Sequence, residues 1–259
     1  MALFNLRSKG AEAPTTPALG AFLEGASIEV MPRTAEKIAS FAEILPAGTR
    51  VYVAHIEGTP IDDMVATARR ITDEGFAVMP HIPARIIEDR VELETWLKRY
   101  RTEAGVAQAL VLAGGVAKPV GAFESSIDLL QTGLFDDLGF KRLHVAGHPE
   151  GNKDIDHKGG NVEVDKALIW KQEYAKNSDA DFAIATQFAF ESAPIIAWAE
   201  RLAAMGITLP IHLGVAGPTK LQTLIKFAIA CGVGPSHGVL QKRAMDLTKL
   251  LVPFTPTAM

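Results

Sequence analysis

The sequence predicts an α/β protein built as a (β/α)8 barrel of the TIM type. Three observations predict it. Seven strand-like segments are each followed by a helix-like pattern, the alternation expected of a parallel sheet wrapped by helices. Polar side chains stand at the C-terminal ends of several of those strands, where such barrels carry their chemistry. The 259 residues, 48% of them hydrophobic, suit one barrel-sized domain with a large core.

The elements follow in order. Residues 1–24 read as an N-terminal lead-in, and 25–259 as a single barrel domain. The predicted strands are Ser27–Pro32, Val51–Ile56, Phe76–His81, Ala109–Gly115, Arg142–Pro149, Phe182–Phe188 and Pro210–Gly217. After the second strand, Thr59 can cap a helix with Pro60 at its first position and Asp62 in its first turn. Ile61, Met64, Val65, Ala68 and Ile71 then recur at helical spacing, and Gly75 closes the run. Gly105, Gly139, Gly206 and Gly232 close later helices, whereas the fifth, Val164–Lys176, ends in Asn177-Ser178-Asp179. Past Gly234 come Pro235-Ser236-His237 and a helical run over 239–251. An eighth strand is not evident. A shortened chain, a strand from a neighbour and an open barrel all fit.

The bulk properties narrow the function. A net charge of −4 offers no basic field for nucleic acid. No apolar run reaches the roughly 18 residues that span a bilayer. The single cysteine, Cys231, cannot form an internal disulfide; it reads as a buried thiol in a reducing compartment. Arg7 and Lys9 follow the first apolar residues instead of preceding them, so the start lacks a signal-peptide layout and a cytoplasmic location is expected.

Alternation along the strands sorts the polar groups. Ile28 and Val30 face the helices, which sends Glu29 into the barrel mouth. Partial burial there is expected to raise its pKa and suit it to proton transfer. By the same logic Met79 and His81 point inward, as do His144, Ala146 and His148, then Ala183, Ala185 and Gln187, and His212. His81 and His148 end their strands and read as site residues, while His144 lies early and reads as a hydrogen-bonded interior residue. His55 carries no special weight; His157 and His237 fall in loops. Gly114, Gly115 and Gly121 bracket the loop after the fourth strand, with Ala122 expected to open a helix; a phosphate cradle and a plain tight turn fit equally.

Several of these pieces resemble one family. Ser27-Ile28-Glu29-Val30-Met31-Pro32-Arg33-Thr34 is similar to the Ser-Phe-Glu-Phe-Phe-Pro-Pro opening of 5,10-methylenetetrahydrofolate reductases. Pro80-His81, Val145-Ala146-Gly147-His148-Pro149-Glu150-Gly151, Ala180-Asp181-Phe182 and Thr186-Gln187-Phe188 resemble that family's Pro-His, Val-Ala-Gly-Tyr-Pro-Glu-Gly, Gly-Ala-Asp-Phe and Thr-Gln-Phe-Phe pieces, in the same order. The resemblance implies a (β/α)8 barrel that binds FAD, takes hydride from NADH or NADPH and reduces methylenetetrahydrofolate to 5-methyltetrahydrofolate. It makes Glu29 the general acid that helps open the substrate's five-membered ring to an iminium. It assigns Gln187, Phe188 and Leu221 to the substrate, and His81, Gly114, Ala146, His148 and Lys176 to the cofactor.

The chain also departs from that pattern. The family's Arg-Gly-Asp is Ala113-Gly114-Gly115, its strand-two threonine is Ala54, its Tyr-Pro-Glu tyrosine is His148, the following histidine is Asn152, and an aspartate of the fifth helix is Ile169. The flavin-contacting motif is therefore altered, and direct nicotinamide-to-folate hydride transfer is one variant of the reading. A second reading is a non-redox folate-binding partner of a demethylase or methyltransferase; a homo-oligomer is compatible with either. A third is a metal-dependent barrel hydrolase using Glu29, His81, His148 and His212, although no resident metal is expected.

Overall fold

The computed structural model describes residues 20, 23–189, 191–217 and 223. Leu221, Cys231, Gly232, His237 and the helix expected over 239–251 lie outside them. Seven strands are present: β1 (Ser27–Val30), β2 (Arg50–Val53), β3 (Ala77–Pro83), β4 (Gln108–Leu112), β5 (Arg142–Gly147), β6 (Asp181–Ala189) and β7 (Ile211–Val215). They form one sheet in chain order, every neighbour pair parallel. No eighth strand is seen among the described residues.

Helices fill the crossovers. They are α1 (Pro32–Ala35), α2 (Ile61–Asp73), α3 (Arg90–Ala104), α4 (Ser126–Gln131), α5 (Leu134–Asp137), α6 (Val162–Ala175) and α7 (Ser192–Ala204). The first is a single short turn rather than a full helix. In α3, Leu93, Trp96, Leu97, Tyr100 and Ala104 recur every three or four residues and form its buried stripe. Asp89 caps its start by accepting from the Glu92 amide at 2.9 Å, and Gly105 ends it at φ 64°, a conformation glycine adopts without steric cost.

Three boundaries depart from expectation. Pro60, not Thr59, is the N-cap of α2, because the Thr59 carbonyl is engaged by His55 Nε2 at 3.0 Å. The helix after β4 begins at Ser126 rather than Ala122. There Asp128 accepts from the Ser125 amide at 2.8 Å, while the Ala122 amide donates to Glu88 O. The helix after β5 starts two residues early, at Val162, because Asp156 reaches back from its loop to accept from the Glu163 and Val164 amides.

The sheet curls. Tyr52 on β2 and His144 on β5 are three strands apart, about 14 Å in a flat sheet. Yet the Tyr52 hydroxyl lies 2.6 Å from His144 Nδ1. Likewise the His144 ring meets that of His212 on β7, centroid to centroid at 4.7 Å. The convex face packs Val51, Val53, Val78, Ile82, Val111, Leu143, Val145, Phe182 and Ile184 into the main core under the helices. The concave face holds only a small apolar cluster of Tyr52, Met79 and Leu110, with Leu112 and Ala185 against it. The described part is thus a curved, seven-stranded parallel β/α sheet. Among the described residues, no helix is long and apolar enough to cross a membrane.

At the end of β5 the packing depends on a missing side chain. A Cβ on Gly147 would collide with Ile184 Cγ2 and approach two Trp198 ring carbons at 3.1 Å. Neither neighbour can retreat, since Ile184 and Trp198 are both fully buried. Gly147→Ala is therefore expected to cost about 1–3 kcal/mol through overpacking, read as a lower urea midpoint at unchanged slope.

Candidate active site

The strand ends bring Glu29 and His81 together. These residues sit on β1 and β3, with β2 between them. His81 Nε2 lies 3.2 Å from Glu29 Oε2. The approach is off the line of a well-formed hydrogen bond, and the buried Nε2 has no other partner. Glu29 remains 59% exposed at its side chain, whereas His81 is 13% exposed, so the carboxylate forms the open edge of the pair. Burial pushes the Glu29 pKa up, but the close approach of His81, as a polar neighbour and as a charge, outweighs it and holds the carboxyl below its ordinary range. The expected rise is thus reversed: Glu29 is a carboxylate at neutral pH, steadied by a histidine that alternation alone could not pair with it.

Beneath this pair runs a second polar layer. Tyr52 is in register with Glu29, and its ring meets His81 edge-on at 6.3 Å. Burial raises the Tyr52 pKa to about 12, with Glu29 adding to the rise and Arg50 opposing it, so the phenol stays protonated. His144 is 1% exposed. Burial first, then His212, Arg50 and Arg142, lower its pKa to about 3. A neutral imidazole follows; in the tautomer with its proton on Nε2, Nδ1 accepts from the Tyr52 hydroxyl. His144 is thus the hydrogen-bonded interior residue that its early position suggested. Arg50 donates to Gln108 Oε1 at 2.9 Å, and Arg142 pairs with Asp181 at 3.3 Å, at the opposite ends of the strands.

The remaining predicted site residues divide. Ala146 lies on the inward face, in register with Ala185 and His212. His148 follows β5 and is half-buried; burial first, then the charge of Lys171, lower its pKa to about 4. Gln187 does not point inward. The β6–β7 register slips between Ala185 and Phe188, where Thr186 Oγ1 accepts from the Gly214 amide. The slip moves Phe188 onto the face of Gly214 and His212 and leaves Gln187 exposed on the rim. Lys176 stands at the C-terminal end of α6, paired with Glu173 at 2.6 Å. In a parallel β/α sheet that end adjoins the strand starts, a helix length of about 21 Å from the mouth. Gly114 packs against Pro83, and Gly121 leaves no room for a Cβ beside the Glu88 backbone. With Arg85 donating to the Glu124 and Val116 carbonyls, this loop is a strapped turn, not a helix N-terminus.

Other polar groups have structural roles or lie elsewhere. His55 is buried and stacks on Trp96 at 4.9 Å. His157 is exposed in its loop. A surface groove of about 590 Å³ between α2 and α3 is crossed by Arg99, which pairs with Asp62 and Glu103, and contains none of the strand-end residues. Among the described residues no group of three or more His, Cys, Asp or Glu side chains gathers in a metal-binding arrangement.

Two residues that bear on the site, Tyr52 within it and Lys171 through its charge on His148, were missed from sequence. Tyr52 was detectable as the inward residue between Arg50 and Ala54, but its partner on β5 has no fixed spacing from it. Lys171 continues the buried stripe of Val164 and Leu168 on α6. It is 5% exposed, and burial is the one cause of the shift in its amine.

No protein-family model matches the chain. Among solved structures, a mandelate racemase/muconate lactonizing enzyme from Bordetella bronchiseptica RB50 is similar at a TM-score of 0.41 and 13% identity, over 76% of this chain and 56% of that one. The chain thus spans just over half the length of that structure.

Burial lowers the Lys171 pKa from 10.5 to about 8. Between those values the unfolded chain binds more protons than the folded one, so stability rises with pH from about 8 to about 10.5, by about 3 kcal/mol. Lys171→Met is expected to raise stability at pH 7 by roughly 1–3 kcal/mol and to flatten that rise, measured by urea unfolding at pH 7 and pH 10. A wild-type stability that stays level across this window contradicts a buried amine.

Proposed function

We propose that this protein is a methylenetetrahydrofolate reductase-like oxidoreductase on a (β/α)8 barrel, interconverting 5,10-methylenetetrahydrofolate and 5-methyltetrahydrofolate by hydride transfer. The observation that carries the reading is the Glu29 carboxylate at the strand ends, open to the mouth and held by His81. Its sequence context adds support, since Ser27–Thr34, Pro80-His81, Val145–Gly151 and Thr186–Phe188 follow the family's order.

The chemistry needs a group that manages one proton beside a developing cation. Opening the five-membered ring breaks a carbon–nitrogen bond: the departing nitrogen takes a proton and an iminium remains. Hydride then adds two electrons to the iminium carbon and makes the methyl group. Glu29 and His81 together can hold one proton. A pterin ring lying over the mouth strips water from Glu29, which raises its pKa and readies it as the acid. Once that proton has left, the carboxylate stabilises the iminium by its charge. Phe188 and Ala146 offer apolar contact to the ring, and Gln187 a polar contact at the rim; Leu221 belongs to the same expected substrate set.

The positions that the resemblance assigns to FAD do not fit it as they stand. Ala54, Ala113, Gly114 and Gly115 carry no polar side chain, the loop of Gly114 is strapped by Arg85, and Lys176 is at the wrong end of its helix. His81 is committed to Glu29, and His148 is held neutral. The proposed hydride donor is therefore NADH or NADPH itself, bound with its reactive carbon against the folate, so that proximity supplies much of the rate. The same small residues favour, as a second reading, a folate-binding partner of a demethylase or methyltransferase that does no redox chemistry.

Glu29→Gln is expected to lower kcat by at least about 100-fold while the dissociation constant for 5-methyltetrahydrofolate, from calorimetry, stays within about threefold. Undiminished turnover in that variant removes Glu29 from the mechanism. Wild-type protein that binds tetrahydrofolates yet oxidises no nicotinamide, with or without added flavin, selects the binding-partner reading.

A further inference from the structure

The contact between Glu29 and His81 spans a strand that belongs to neither. Strands two places apart in a sheet are about 9.6 Å from each other. The two side chains must lean over β2 to come within 3.2 Å. The inward positions of β2 are Arg50, Tyr52 and Ala54. Tyr52 is level with Glu29 and Met79, and Ala54 is one inward step higher, where it places only a methyl group. The phenol ring is thus the floor on which the bridge rests, edge-on to the His81 ring.

We propose that Tyr52, pinned by its 2.6 Å hydrogen bond to His144, is a positioning residue that keeps Glu29 and His81 in contact. The inference builds on the role given above to Glu29. Tyr52 itself does no proton chemistry at the mouth. Its proton is directed down to His144 Nδ1, and its hydroxyl lies at the far end of the ring from the strand. His144 is fixed in turn by its buried place against His212. The groups facing this hydrogen bond are Glu29 from β1, Arg50 from β2, His81 from β3, Arg142 beside His144 on β5 and His212 from β7. The cations among them discourage a second proton on His144, so the ring stays neutral over the working pH range, and with its one proton on Nε2 its Nδ1 is the acceptor. Loss of the hydroxyl or of the acceptor frees the ring to tilt, and the carboxylate and imidazole drift apart.

The test uses the ligand-free protein with ¹³C-labelled glutamate and ¹⁵N-labelled histidine. In wild type, the ¹⁵N shifts of His144 should report a neutral ring protonated on Nε2; protonation on Nδ1 overturns the proposal without any variant. In Tyr52→Phe, the titration midpoint of Glu29 should rise by at least half a pH unit toward that of an ordinary glutamate. His144→Ala should do the same, while His144→Asn, whose amide oxygen can stand in for Nδ1, should restore the wild-type midpoint. If Glu29 titrates alike in wild type and Tyr52→Phe, the proposal fails, whatever His144→Ala does. Activity separates the two ideas. A moved midpoint in a protein that never turns over folate upholds the positioning role and refutes the proposed reaction. Folate turnover with an unmoved midpoint does the reverse.

Discussion

One hydrogen bond sets the shape of the interior. For a phenol on β2 to reach an imidazole on β5, the sheet between them must bend until its inward side chains meet. That bend gives the two faces different space. The convex face is broad and takes the large branched and aromatic side chains under α2, α3, α6 and α7. The concave face is narrower, and its apolar cluster is small, three buried side chains with Leu112 and Ala185 against them. Among its other positions are the polar residues Glu29, Arg50, His81, Gln108, Arg142, His144 and His212. Polar groups in such a place are tolerated only where they find partners or water. The partners run across the sheet: Glu29 to His81, Tyr52 to His144, Arg50 to Gln108. Each link joins strands that are not adjacent, so the links also hold the curve they require.

The charges in this interior are ordered along the strands. Arg50 and Arg142 open β2 and β5, whereas Glu29 and His81 lie at the other end of β1 and β3. Between them His144 and His212 have lowered pKa values, burial being the chief cause and the two arginines contributing to both. Neutral rings do not cancel the field, so the interior runs from a positive base to a carboxylate at the mouth. A cation at the mouth is favoured by the near carboxylate and kept at a distance from the arginines. An iminium forming over Glu29 meets those conditions, which is why the electrostatics and the proposed chemistry agree. The lowered pKa of Glu29 belongs to the same picture: a solvated carboxylate beside histidine is the resting state, and the acid form requires that something displace the water.

Sequence made the strands legible because alternation is local. Val51 and Val53 against Tyr52, or Leu143 and Val145 against His144, assign faces without knowledge of any partner. The inward placement of Glu29 and His81 followed from the same rule, as did the interior role of His144. What failed was whatever depended on a neighbour distant in sequence. The direction of the Glu29 shift needed His81, which comes from a strand two places away. Gln187 was placed inward because alternation was carried through β6, but Thr186 bonds the Gly214 amide and the register slips there. Lys176, which the resemblance assigns to the cofactor, closes its helix at the end away from the mouth. Lys171 did leave a signal, a lysine seven residues after Val164 and three after Leu168, in an otherwise apolar stripe of the helix.

Ala54 ties the altered flavin positions to the bridged pair. It is the inward residue of β2 between β1 and β3, with its amide bonded to Val30 O at 2.8 Å. The family resemblance expects threonine there. A threonine hydroxyl at that point would lie between carboxylate and imidazole, and as both donor and acceptor it could engage either one. The Glu29–His81 contact would then compete with two alternatives of similar strength. A methyl group has no such capacity; it leaves the carboxylate no partner over β2 except the histidine. The methyl group at 54 and the direct Glu29–His81 contact are in this sense one arrangement, since the first removes the competitors of the second.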